Sequence, residues 1–335
     1  MGVPKKLDKF GLCIPFNKAD ENLNFSLADY RNNYFTSNDP ANIIEFYNGF
    51  ENRDELIQWM KERPKGTPII HEVNGEKDVI VVIPTKDFHG KYASECRNDI
   101  FKGFHIIFVE SGAMNDFYFN FSHYVNTGIK KAIEYNPKWI VISGDDMQKV
   151  DNPDTLKCEL FKLDPSKIDV VLTEPSQTKY HSKPSLLGRP NLLGKIYYFW
   201  TYKTGIAPYD FWIYLYKDPN LMKKLGIEII LLPKHPISKI FFKKLKPVVM
   251  TMAFSIISGN FASREKGKIL DESFINGADD WDFSFRTFYR GLSYGFIGYR
   301  IEEYIGMSLG NGGNRAIRDL ANVSLFNYLY SDDFK

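Results

Sequence analysis

Cysteine is scarce in this chain: Cys13, Cys96 and Cys158 are the three among 335 residues, and no C-x-x-C pair occurs. An odd, widely spaced set argues against a disulfide framework or a structural zinc site and fits a reducing compartment. No apolar run approaches the roughly 18–20 residues that a membrane-spanning helix needs. The first ten residues are charged and lack the long apolar core of a signal peptide. A soluble, cytoplasmic protein is therefore expected. Histidine is also sparse, and His71, His89, His105, His123, His181 and His235 are dispersed without metal-ligand spacing. They read as ordinary surface or core residues. Neither a G-x-S-x-G elbow nor a G-x-x-x-x-G-K-[ST] phosphate loop is present, which sets aside those two chemistries.

A net charge of one sign is lacking overall, at +2, but the charges are segregated. Between Gln177 and Lys246 there are 13 Lys/Arg against 3 Asp/Glu, a local balance of +10, while the remainder carries 30 basic and 38 acidic residues. Aromatics are plentiful at 16%, and from Tyr197 to Tyr216 ten of twenty residues are aromatic. Pro236 opens a predicted short helix with Ile237, Ile240, Phe241 and Leu245 on one side and Lys239, Lys243 and Lys246 opposite, before Pro247. Such a helix can lie on an anionic membrane, which would place the protein at the inner face of one. The alternative is a Lys-decorated helix over an aromatic core.

The stretch from Asp78 to Met147 carries the strongest pattern. Val79-Ile80-Val81-Val82-Ile83 is an apolar strand that Pro84-Thr85 should stop, His105-Ile106-Ile107-Phe108-Val109 ends in Glu110, and Trp139-Ile140-Val141-Ile142-Ser143 ends in Gly144-Asp145-Asp146. A helix through 124–135, stopped by Asn136-Pro137, separates the last two runs. Apolar β-branched runs alternating with helices predict parallel strands buried on both faces. Ligands of such sheets bind beyond the strand carboxyl ends, where these polar residues fall. Two carboxylates there can hold a divalent cation against a diphosphate. A turn or helix cap is the plain alternative for Asp145 and Asp146.

The chain divides on this reading into a leader (1–76), a nucleotide-binding half (77–176), the basic aromatic insert (177–250) and a C-terminal half (251–335). In the leader, Asn52 caps a helix with Glu55 three residues on and Leu56, Trp59 and Met60 as its apolar stripe. A fourth strand is expected over 168–173 and another over 254–259. Asp279-Asp280-Trp281-Asp282 should begin a helix whose stripe is Trp281, Phe285, Phe288 and Tyr289. Carboxylates in a first turn also suit the helix dipole.

Taken in order, these motifs resemble the GT-A-fold glycosyltransferases of family 2, inverting enzymes that use nucleotide-sugars. The likeness covers about 78–175 and 252–330: Val81-Val82-Ile83-Pro84-Thr85, Val109-Glu110-Ser111-Gly112, Asn126-x-Gly128 leading to Asp145-Asp146, Ser258 to Glu265, Leu270-Asp271-Glu272-Ser273-Phe274, and Asp279-Asp280-Trp281-Asp282 with Arg286. It implies an α/β, mostly parallel Rossmann-like sheet flanked by helices. It further implies a nucleotide-diphosphate sugar as donor, an acceptor glycan, glycolipid or glycoprotein, no nucleic-acid partner, and Mg²⁺ or Mn²⁺ held by Asp146 with Asp145. Pro84, Thr85, Glu110, Asn126 and Asp145 would contact the donor, and Asp280, with Asp279 as alternate, would be the catalytic base. The chain departs from the family pattern in two places. Gly144 stands where an Asp is common, and Leu309-Gly310-Asn311-Gly312-Gly313 carries no His where many relatives have one. The rival readings are a sugar-phosphate nucleotidyltransferase, against which the absence of a Gly-rich loop after the first strand counts, and a non-catalytic membrane- or nucleic-acid-binding module built on the insert.

Overall fold

The three apolar runs form the middle of a seven-stranded sheet. A computed structural model of the chain describes residues 27–111, 117–173, 218–227, 252–289, 291–303 and 313–330. The motif residues 309–312, the expected helix at 236–247 and all of the basic insert except 218–227 lie outside them.

In chain order, helices α1 (Leu27–Thr36), α2 (Pro40–Asn48) and α3 (Arg53–Glu62) come first. Strands β1 (Ile69–Val73) and β2 (Glu76–Thr85) follow, then α4 (Lys91–Glu95), which runs on as a π-helical turn over Cys96–Ile100. Next are β3 (Phe104–Glu110), α5 (Phe121–Ile133), β4 (Trp139–Ser143), β5 (Met147–Lys149), α6 (Pro153–Leu160) and β6 (Val170–Thr173). The remainder holds α7 (Pro219–Lys224), β7 (Phe254–Ser258), α8 (Gly259–Arg264), α9 (Asp279–Tyr289), β8 (Tyr294–Ile297), β9 (Ile301–Glu303) and α10 (Gly313–Tyr330).

The sheet order is β1-β3-β2-β4-β7-β6-β8, with β5 and β9 forming a separate ribbon. Strands β2, β3, β4, β6 and β8 point one way, and β1 and β7 the other. The fold is thus α/β with a mostly parallel sheet flanked by helices. The fourth apolar run does not join β4, because antiparallel β7 lies between β4 and β6. Pro84 does not stop β2 either: it pairs with Val109, and Thr85 pairs with Glu110. The pairing of β2 with β4 already ends at Val82 and Ile142. Pro84 therefore needs no donor on that side, and the ladder tolerates it.

Helix α5 lies close over the sheet because of Gly128. A Cβ there would come 2.3 Å from Val82 Cγ1 and 2.9 Å from Val109 Cγ2. The helix starts as its cap dictates, with Asn120 accepting from His123 N, and ends before Asn136, which takes φ 52. Asn52 likewise accepts from Glu55 N to begin α3. The leader helices are not an isolated unit. Phe46, Tyr47, Leu56 and Trp59 share one core with Leu221 and Leu225 of the insert, Phe274, Phe285 of α9 and Leu320 and Phe326 of α10. Two further cores cover the faces of the sheet. Phe283 of α9 is buried in one of them, so the helix is apolar on two sides rather than along the single predicted stripe.

Candidate functional site

The acidic turn is placed by the β4 ladder. Beyond Ser143, the Gly144 amide donates to Ala253 O at 2.7 Å, which ties the turn to the start of β7. Asp145 and Asp146 then leave the sheet, and the next residues pair with β9, Met147 opposite Glu303. Thr85, at the carboxyl end of β2, donates its hydroxyl to Asp145 Oδ2 at 2.7 Å. The expected donor-side residues Thr85 and Asp145 are thus in contact. Asp146 is 5% exposed, and its Oδ2 is buried with no hydrogen-bond partner among the described residues. Burial holds both carboxyls above the usual carboxylate range. The Thr85 hydrogen bond opposes this at Asp145, whereas the charge of Asp145 adds to it at Asp146. Below the turn, the Cys96 thiol donates to Asp145 O at 3.3 Å, and burial pushes this thiol's pKa far up, so it stays protonated.

Two other expected donor contacts are occupied by structure. Glu110 accepts from the Phe88 amide at 3.0 Å, and its other oxygen lies 2.7 Å from His71 Nε2. The His71 ring stacks on Phe88 at 4.3 Å, and Arg97 lies over the same Phe88 ring. Glu110 therefore fastens edge strand β1 and the segment after β2. Asn126 is completely buried. Its amide donates to Leu270 O at 2.8 Å and Glu272 Oε1 at 3.0 Å, and its Oδ1 accepts from Ile269 N and Leu270 N. Both donors and the acceptor of the Asn126 side chain are thus engaged by protein groups in this structure. Glu272 in turn lies 2.9 Å from His123 Nδ1; burial raises its pKa, but the bonds from Asn126 and His123 overcome that and hold it low.

These bonds bring the second acidic group to the same end of the sheet. Strand β7 descends from Phe254, beside Ser143, to Ser258, beside Trp139. The chain then climbs back along α5, from Asn126 to Asn120, whose amide donates to Glu272 O and Phe274 O. At the top, Phe121 N donates to Asn276 Oδ1 at 2.8 Å. Helix α5 begins after the carboxyl end of β3 and runs down to the start of β4, so Asn276 stands at the carboxyl end of the sheet. Asn276 and Ala278 take φ 52 and 56, a conformation rare outside glycine, immediately before α9.

In α9 the acidic residues separate by role. Asp282 is buried, pairs with Arg286 at 2.7 Å and accepts from the Tyr330 hydroxyl, so it binds α9 to α10. Asp279 is 7% exposed. Asp280 is half-buried and, among the described residues, its carboxylate accepts one hydrogen bond, from the Trp281 amide. Burial raises the pKa of both Asp279 and Asp280, and the charge of Asp279 raises Asp280 further. Sequence reasoning missed the Asp282 latch, although its four-residue spacing from Arg286 was a legible signal.

The donor set at the turn suits a divalent cation. Among the described residues no group of three or more His, Cys, Asp or Glu could enclose a metal. The unpartnered Asp146 oxygen and the neighbouring Asp145 nonetheless match the one or two carboxylates that Mg²⁺ ordinarily takes when substrate phosphates and water fill its other positions. None of the described helices is long and apolar enough to cross a membrane. In comparisons with known proteins, no family model, no curated protein and no solved structure matches this chain.

Proposed function

We propose that the protein is an inverting glycosyltransferase of the GT-A type, moving a sugar from a nucleotide-diphosphate donor to an acceptor hydroxyl. The observation that carries this reading is the buried Asp146 Oδ2, without a partner among the described residues, at the carboxyl end of a central parallel strand. A buried carboxylate oxygen left unsatisfied costs about 1–3 kcal/mol or more, so a cation or other ligand at this point would offset that cost. Asp146, with help from Asp145, would hold Mg²⁺ or Mn²⁺, which would supply Lewis-acid stabilisation of charge on the leaving diphosphate. Thr85 fixes the orientation of Asp145 through its 2.7 Å hydrogen bond. Asp280, at the same end of the sheet, takes the proton of the acceptor hydroxyl as that oxygen attacks the anomeric carbon opposite the leaving group. The proton ends on Asp280, the diphosphate departs with the bonding electron pair, and one displacement inverts the centre. The raised proton affinity of Asp280 suits a base that must accept a hydroxyl proton.

A panel of nucleotide-sugars with and without Mn²⁺, read by thermal shift and by product analysis, tests the reading. Metal-dependent stabilisation by one donor with slow release of nucleoside diphosphate is expected. Release of pyrophosphate from a nucleoside triphosphate and a sugar phosphate, with no donor hydrolysis, would replace it with the nucleotidyltransferase reading.

A further inference from the structure

A cavity of about 130 Å³ opens between the leader, the segment before α9 and α10. Arg63, Arg315 and Arg318 contribute to its wall with one carboxylate, Asp319, and Phe35, Phe117 and Phe119 supply apolar sides. The arginines are held in place. Arg63 is 3% exposed and donates to Asn32 Oδ1 at 2.6 Å and to Tyr118 O at 3.3 Å. Arg318 donates to the carbonyls of Phe35, Thr36 and Ser37, capping the end of α1, and its Nη1 makes no bond among the described residues. Arg315 is 49% exposed at its side chain, with a 3.7 Å ion pair to Asp319. The residues lining the cavity carry three guanidinium groups against one carboxylate, with Asp279 and Asp280 nearby on the Arg315 side, and the planar fork of arginine matches phosphate and carboxylate geometry. The cavity is smaller than the about 300–1,000 Å³ typical of whole-ligand pockets, so it fits one head group rather than a nucleotide-sugar. Ile275 and Asn276 in its wall are the last steps before Asp279, and Arg315 lies near enough to lower the proton affinity of both Asp279 and Asp280.

We propose that the cavity bounded by Arg63, Arg315 and Arg318 binds the oxyanion group, a phosphate or a carboxylate, of the acceptor whose hydroxyl Asp280 deprotonates. The word acceptor rests on the transferase reading above; the anion site itself does not. Its consequence is that neutral sugars alone are poor acceptors and that a negatively charged group within reach of the attacked hydroxyl is selected.

The test titrates the full-length protein with inorganic phosphate and, separately, with acetate, against sodium chloride at matched ionic strength and in chelator, following Tm. A saturable rise above the chloride control is expected with at least one anion. The stronger of the two identifies which oxyanion the acceptor carries. Arg315→Gln should bind that anion about tenfold more weakly, as the loss of one charge-assisted fork implies. Arg315→Lys, which keeps the charge and loses the fork, should fall between. No rise above chloride, or equal binding by wild type and both variants, overturns the proposal. Neither nucleotide nor metal is present, so failure here is distinct from failure of the donor panel.

Discussion

Gly144 and Asp146 are matched by contact: a Cβ on Gly144 would lie 2.8 Å from Asp146 Oδ1. The absence of a side chain at 144 is what lets the Asp146 carboxylate fold back over the strand end. Gly144→Asp, which introduces the residue common in the glycosyltransferases that the sequence resembles, should therefore, on the proposed function, lower metal-dependent donor binding rather than improve it. Gly144→Ala should do the same more mildly. Mn²⁺ titration followed by donor thermal shift checks both, and a gain in affinity for Gly144→Asp would refute the steric account.

Asp146→Asn is expected to separate activity from stability. On the proposed function, turnover should fall by orders of magnitude, because the charge that would face the metal is lost. The metal-free protein should be as stable as wild type or more so, since a buried charge with an unpartnered oxygen becomes a neutral amide. Chemical denaturation in chelator beside donor hydrolysis in Mn²⁺ measures the two. Full turnover of wild type in excess chelator would remove the metal from the mechanism.

With Asp280 as the proposed base, the pH dependence of transfer follows from its carboxyl. A base must be deprotonated, so transfer should rise with pH through a limb lying above the ordinary carboxylate value of about 3.9. Removing the neighbouring charge in Asp279→Asn should move that limb to lower pH, because Asp279 raises Asp280. Asp280→Asn should abolish transfer while keeping donor affinity. The folded state holds these protons more tightly than the unfolded chain, so stability should decline as pH rises from the unfolded value through the raised folded one. A rate profile for each variant decides; if Asp279→Asn is inactive and Asp280→Asn active, the two roles are exchanged.

Asn126→Ala should act on stability first. It removes four hydrogen bonds and strands the buried amides of Ile269 and Leu270, at about 1–3 kcal/mol each. A fall in Tm with donor affinity per folded molecule unchanged is expected. A selective loss of nucleotide affinity at unchanged Tm would return Asn126 to the binding site.

The basic insert should give salt-sensitive binding to anionic liposomes, each Lys near the surface contributing about 1 kcal/mol. Flotation at low and high salt, with Lys239/Lys243/Lys246→Glu as the control, measures it. No association at low salt would end the membrane reading.

Periodicity made β2, β3 and β4 legible because strands buried on both faces are almost wholly apolar, and β4 runs from Trp139 to Ser143 as the apolar run did. Caps at Asn52 and the stop at Asn136 were legible for an equally local reason. The place of β7 was not: its five buried residues fit a parallel or an antiparallel neighbour equally well, and only the long-range register decides. The clustering of Thr85, Asp145 and Asp146 at the carboxyl ends of β2 and β4 could be read from the strand ends. The diversion of Asn126 and Glu110 to structural partners could not, since a buried amide or carboxylate looks the same in sequence whether it meets a ligand or the backbone of a segment some 144 residues away.

The shared core of the leader and α10 governs the order in which the protein can assemble. Tyr47 is completely buried, donates its hydroxyl to Ile317 O at 2.7 Å across 270 residues of sequence, and accepts from the Ala321 amide. On a ribosome adding roughly 5–20 residues per second, α2 and α3 emerge on the order of tens of seconds before the helix that covers them. Over that interval Phe46, Tyr47 and Trp59 have no permanent partner in α10, and their exposed aromatic faces are natural ligands for a chaperone. The sheet, whose β2, β3 and β4 are complete by Ser143, can form meanwhile. Synthesis should thus pass through a stage with an ordered β2-β3-β4 sheet and an open N-terminal helical layer, closed only when α10 arrives.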